Sequence, residues 1–273
     1  MTTAIYNLAM SIPSRIGELN RLVAQASECE KSDEVLYNAL CRAISVLLTS
    51  HLEGFLKDLT DAIIADLNEK LVKFEKMPRA LQRAFCKQIV SYEGVSGKDI
   101  DTRVEQLIQF FTKYSVPIEH GAFSYREAEN KNSSVAVIES AFAKLGIPDI
   151  ISSIANSRFE VVFDNDSQTN VRLLRDLKRM RVFLVRFPHR KLPKHYTPKM
   201  RQKIDKKATL WHLFIEEILV RRHNVAHGNT LENETTWRDL KMDILKLEVL
   251  VQGVLYSAVS YLHFDTDDKN TNE

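Results

Sequence analysis

The sequence predicts an all-α protein, an antiparallel helical bundle carrying an irregular, basic mid-chain insertion. Three observations predict it. Eight Gly and seven Pro in 273 residues leave few chain breaks, which favours long helices joined by few turns. Apolar residues toward both ends of the chain recur at three- and four-residue steps, the period of one helix face. Strand character is confined to one short run, RFEVVFDND at 158–166, which has no obvious pairing partner.

The elements follow in chain order. A short helix carries Ile16, Leu19, Leu22 and Val23. A strong helix then covers about 33–68, where Leu36, Leu40, Ile44, Leu47, Leu52, Phe55 and Leu59 hold the helical period and Ser32 or Asp33 can cap it. The middle, about 76–207, is less regular, with helical segments near 79–91, 99–114, 134–145 and 168–186 separated by Pro78, Gly94, Gly97, Pro117 and the Gly146–Pro148 break. FPHRKLPKHYTPK at 187–199 holds three Pro and no apolar period, so it reads as an exposed basic loop with His189 and His195 in solvent. A helix over 208–227 buries Leu210, Leu213, Phe214, Ile218 and Leu219, and Gly228 suits the position just past its end. Thr236 and Asp239 make a capping pair for the closing helix, whose stripe is Leu240, Ile244, Leu247, Val251, Val254 and Leu255. Trp211 and Trp237 read as packing aromatics at the bundle ends. The expected organisation is one domain over 1–273, with the bundle core at about 33–75 and 208–264 and the insertion at about 76–207.

Composition narrows the class. Apolar content of 44% and charged content of 27% suit a globular, water-soluble protein. Cys29, Cys41 and Cys86 are odd in number and form no CxxC pair, which argues for a reducing compartment rather than a disulfide framework or zinc site. The first twenty residues lack a basic start and an unbroken apolar core, so no secretory leader is expected. The most apolar late run, 249–264, is short of a membrane span. A cytoplasmic protein without membrane attachment is the expectation. The formal net charge of +2 hides an asymmetry: 172–207 holds fourteen Lys/Arg against Asp176 and Asp205, and the remainder of the chain is net acidic. That density fits a surface for the phosphate backbone of RNA, with Arg190, Lys191, Lys194 and Lys199 as candidate contacts. The alternative is a solvated charged face.

The chemistry concentrates in RRHNVAHGN, 221–229. The Arg fork suits a phosphate, and His titrates near neutrality, as proton transfer in phosphodiester cleavage needs. Arg222 and His227 stand five apart, about 140° around a helix, so they can flank one groove. His223 and His227, four apart, share a face, and Asn224 adds a neutral donor. A polar helix end meeting the negative pole of its dipole is the alternative. The His pair has metal-binding spacing, yet Asn224 stands where a zinc hydrolase carries Glu; no metal and no cofactor are expected.

The run from Arg222 to Gly228 resembles the Arg-x4-6-His signature of the HEPN superfamily, with the Ala-His-Gly ending of its stand-alone members. Ser50 to Phe55 resembles a Glu-Gly-Phe segment on an early helix of prokaryotic RNase-like members. The stretch from Asn130 to Ser134, with Leu145 to Ile147, resembles their middle region. The resemblance implies an all-α, HEPN-like bundle acting as a homodimeric, metal-independent endoribonuclease of the toxin or phage-defence kind. Arg222 would neutralise the scissile phosphate. His227 would transfer a proton as the 2′-hydroxyl attacks, leaving a 2′,3′-cyclic phosphate. His223 stands where the family usually has Asn or Asp, so support falls to His223 or Asn224, and Glu53 would orient Arg222 or His227. Asn229 occupies the place of a Tyr that accepts a silencing nucleotidyl group in some family toxins, so that control is not carried over. RNA, a second copy of the chain and an antitoxin or defence-system protein are the implied partners. The rivals are a HEPN module that binds RNA or a nucleotide without cutting it, and an interaction protein whose basic block docks an acidic partner.

Overall fold

The structure is a computed structural model that describes residues 2–70, 74–77, 79–90, 97–114, 134–155, 157–187, 189–196, 209–228 and 235–261. Among these, helices and short 3-10 turns account for all regular structure and no strand occurs. The all-α bundle expected from the periodicity is present. In chain order the helices are α1 (Ala4–Cys29), α2 (Glu34–Lys70), α3 (Arg79–Val90), α4 (Gly97–Tyr114), α5 (Val135–Lys144), α6 (Ile150–Ser153), α7 (Ser167–Met180), α8 (Leu210–Ala226) and α9 (Trp237–Tyr261).

Contacts along the long helices fix their directions. The N-terminus of α1 meets the far end of α2: the buried Asp66 carboxylate accepts the N–H groups of Ala4 (2.6 Å) and Ile5 (3.0 Å). Arg15 pairs with Asp58 and Glu18 with His51 further along, so α1 and α2 are antiparallel. Arg238 reaches Glu30 at the opposite end of α1, and the Trp237 N–H donates to the Tyr37 hydroxyl. Helix α9 therefore runs alongside α2 in the same direction. Helix α8 runs in the opposite direction to α9, since Arg221 meets Asp243 while Lys246 lies over the Phe214 ring.

Helix α1 is longer than the short helix expected, and it belongs to the bundle core together with the segments placed there from the sequence. It continues through Pro13, buries Ile5, Leu8, Ile12, Ile16, Leu19 and Val23, and begins at a Thr3 cap. Its first-turn N–H groups are orphaned by helix geometry, and Asp66 satisfies two of them across the bundle. That partner lies 62 residues downstream, beyond any local sequence signal.

Helix α9 is the central element. Over Val249–Val259 it is buried on every side, because the insertion packs on the face that α1 and α2 leave open. Ser153 and Ser257 hydroxyls share a hydrogen bond, and the Tyr256 hydroxyl donates to the Leu177 carbonyl at 2.7 Å. A side chain at Gly253 would stand 3.5 Å from Ile154 and Phe159, ordinary contact distance that shows how closely this layer sits.

Three expectations are corrected. The run at 158–166 is a 3-10 helix, Arg158–Asp164, capped by Ser157 and ended by Asn165 at φ 55°. Phe159 and Val162 stand three apart and face the core together, as 3-10 geometry requires; without an edge to pair with, β-branched content alone does not make a strand. On α8 the buried face is Trp211, Phe214, Ile215 and Ile218, which leaves Leu210 and Leu213 about half exposed. Trp211, fully buried against Phe163, rotates the helix relative to the Leu-based reading. The segment 187–199 is not an open loop where it is described. His189, Leu192 and Tyr196 are buried anchors, and Tyr196 donates to Asp176 at 3.0 Å.

Candidate functional site

The motif closes helix α8. Thr209 starts that helix with a capping box in which His212 takes the place usually held by Glu or Gln: Thr209 Oγ1 accepts from the His212 N–H, and the Thr209 N–H donates to His212 Nδ1. At the other end His227 is the C-cap, its N–H donating to the His223 carbonyl at 3.0 Å, and Gly228 leaves the helix at φ 67°. Space around Gly228 is open; the left-handed backbone is what favours glycine there.

Adjacent arginines on this last turn grip different helices. The Arg221 guanidinium donates to Asp243 of α9 at 2.6 Å and to Glu217 of its own helix at 2.7 Å. The Arg222 guanidinium donates to Glu53 of α2 at 3.0 Å. The first carboxylate is buried. Burial pushes the Asp243 carboxyl above its usual range, and the Arg221 hydrogen bond and charge, with Lys246, pull it back. The second pair is wet, with Arg222 38% and Glu53 31% exposed. Arg222 can therefore present its remaining donors to an anion while Glu53 holds it from behind.

His223 and His227 lie with ring centroids 4.2 Å apart, both exposed, and Asn224 beside them in the chain is half-buried. The structure thus forms two contacts among the residues singled out from sequence, Arg222 with Glu53 and His223 with His227. Both lie at one polar helix end whose terminal carbonyls favour cations. Among the described residues no group of three or more His, Cys, Asp or Glu converges in a metal-like arrangement.

The basic region divides. Arg172, Arg175, Lys178 and Arg179 are exposed on α7, and Arg190, Lys191 and Lys194 are exposed beyond it. Arg181 faces inward beside Glu248, and Arg158 and Tyr196 engage Asp176. Lys199, the His195 side chain, Asn229 and residues 130–133 lie outside the described residues. Arg221 escaped the sequence reading, although Asp243, an acid within the Leu240–Ile244–Leu247 stripe, was the signal that some cation must meet it.

An all-α bundle whose penultimate long helix ends in this Arg/His turn, followed by one closing helix, defines a member of the HEPN superfamily. The family model described as RiboL-PSP-HEPN matches residues 11–255, and the chain belongs to that family. Membership places it among RNase-type or RNA-binding modules. No curated protein and no solved structure matches it.

The two arginines should differ in what they hold. Asp243→Ala leaves the mostly buried Arg221 without its α9 partner and is expected to cost about 3 kcal/mol. Glu53→Ala breaks a wet pair and should cost less than about 1 kcal/mol. Chemical denaturation of both variants checks this, and equal losses would contradict the assignment.

Proposed function

We propose that the protein is a metal-independent endoribonuclease of the toxin or antiviral-defence kind, working in the cytoplasm as a homodimer. The observation that carries this reading is Arg222, half-exposed and held by Glu53 on the turn that ends in His227. Arg222 binds a non-bridging oxygen of the scissile phosphate and offsets the charge that builds on it. His227 takes the proton from the 2′-hydroxyl as its oxygen attacks phosphorus. The bond to the 5′-oxygen breaks, that oxygen leaves with a proton, and a 2′,3′-cyclic phosphate remains. In a two-fold dimer the second copy of the motif supplies the acid opposite the base. His223, beside His227, and Asn224 support the imidazole.

Exposed apolar side chains on α8 favour the dimer. Leu210, Leu213 and Val220 are 47%, 53% and 59% exposed on the motif helix itself, and a second α8 laid against them would cover them and bring two motifs together. The exposed cations at Arg190, Lys191 and Lys194 serve RNA, as does Lys199. An antitoxin or defence-system protein that covers this surface would hold the enzyme silent.

Arg222→Ala and His227→Ala are each expected to lower cleavage by about 100- to 10,000-fold, with little change in melting temperature because His227 is exposed and the Arg222–Glu53 pair is wet. RNA affinity should fall more in Arg222→Ala than in His227→Ala, since the guanidinium also binds the ground state. Cleavage that survives both substitutions leaves the rival reading, a HEPN module that binds without cutting.

The basic surface carries a second expectation. RNA affinity of the non-cleaving His227→Ala protein should fall steeply with salt through counterion release. Reversing Arg190, Lys191 and Lys194 together should flatten that slope. An unchanged slope would return these residues to a merely solvated face.

A further inference from the structure

A cavity of about 540 Å³ lies between α1, the start of α7 and the first half of α9. That volume is in the range of small-molecule sites, and none of the motif residues lines it. One of its polar groups is not spent on the fold. Asn170 lines the cavity, is only 4% exposed, and its Oδ1 accepts no hydrogen bond. A buried amide oxygen left without a donor is costly, and a turn of the Asn170 amide toward the cavity would let a ligand N–H satisfy it. Glu248, also on the wall, is a second acceptor; burial pushes its carboxyl above the usual range, and Arg181 holds it down.

The remaining walls suit a flat heterocycle. The Trp237 ring lines one side together with Arg238, whose guanidinium lies 4.6 Å from the ring centroid and pairs with Glu30. Leu174 and Leu245 add apolar surface. At the mouth stand the exposed Lys241 and the start of α7, from which Arg172 and Arg175 continue outward.

We propose that this cavity binds a nucleoside monophosphate unit, with its base against Trp237, its base-edge N–H groups on Asn170 and Glu248, and its phosphate at Lys241. Two acceptors on one cavity wall match a base that presents several N–H donors, as guanine does, better than uracil with one. The unit can be a free nucleotide or one residue of an RNA strand laid along the cationic face of α7. The proposal goes beyond cleavage and does not depend on it.

Calorimetric titration of the full chain with GMP and with UMP tests it, alongside Val171→Trp, which plugs the mouth from an exposed position, and Lys241→Glu, which reverses the phosphate contact. Saturable GMP binding is expected, weakened about tenfold or more, roughly 1.4 kcal/mol or more, by either substitution and in UMP. Anisotropy of a labelled RNA pentamer on His227→Ala protein separates the sources: displacement by GMP assigns the cavity to the strand, and undisturbed pentamer binding assigns it to a free nucleotide. If Val171→Trp changes neither GMP nor pentamer binding, the cavity holds solvent only and the proposal is overturned. UMP binding as tight as GMP binding would overturn the base-edge assignment. Because both readouts are binding, these failures leave the ribonuclease reading standing, to be decided by cleavage alone.

Discussion

The orientation of helix α8 depends on two neighbouring arginines that point to opposite walls of the bundle. Consecutive helix residues project about 100° apart, so Arg221 and Arg222 cannot serve one partner. Arg221 takes Asp243 of α9 and Arg222 takes Glu53 of α2. Rotation of α8 that improved one pair would spoil the other. The turn carrying His223 and His227 is therefore held in one rotational setting, although both rings stand in solvent and contribute little packing. The buried pair supplies stability and the wet pair leaves a guanidinium available for an anion, a division that follows from their different exposure.

The same arrangement explains why a reactive-looking surface costs the fold little. The core is carried by α9, closed in by α1, α2 and the insertion, with Leu250, Val254 and Tyr256 fully buried. The polar turn lies outside it, where the end of α8 and the start of α9 come to the same end of the bundle. The nucleotide-sized cavity opens beside the first turns of α9, a few residues after the motif in sequence.

Much of the fold was legible because its cues are local. Apolar spacing located α2 and α8 to within two residues, Thr236 and Asp239 form the expected reciprocal cap that starts α9, and Gly228 has the backbone its position suggested. What escaped depends on distant partners. Helix α1 starts as early as Ala4, where Asp66 caps it from the far end of α2. Trp211 turns α8 so that Leu210 and Leu213 face out, and His189 is drawn inward within a segment whose prolines hide its anchors. Of the site, the Arg222–Glu53 contact was foreshadowed only by resemblance, since no periodicity links residues 169 apart. The Asn170 cavity had no sequence signature, being built from three helices that meet only in the folded chain.

The central claim is that the Arg222–His227 turn cleaves RNA through the neighbouring 2′-hydroxyl. Mass analysis of the fragments released by the wild-type protein in excess EDTA tests it most directly. The account predicts paired ends, a 2′,3′-cyclic phosphate on one fragment and a free 5′-hydroxyl on the other. Fragments bearing 5′-phosphate and 3′-hydroxyl ends, or cleavage that stops in EDTA and returns with a divalent metal, would contradict it.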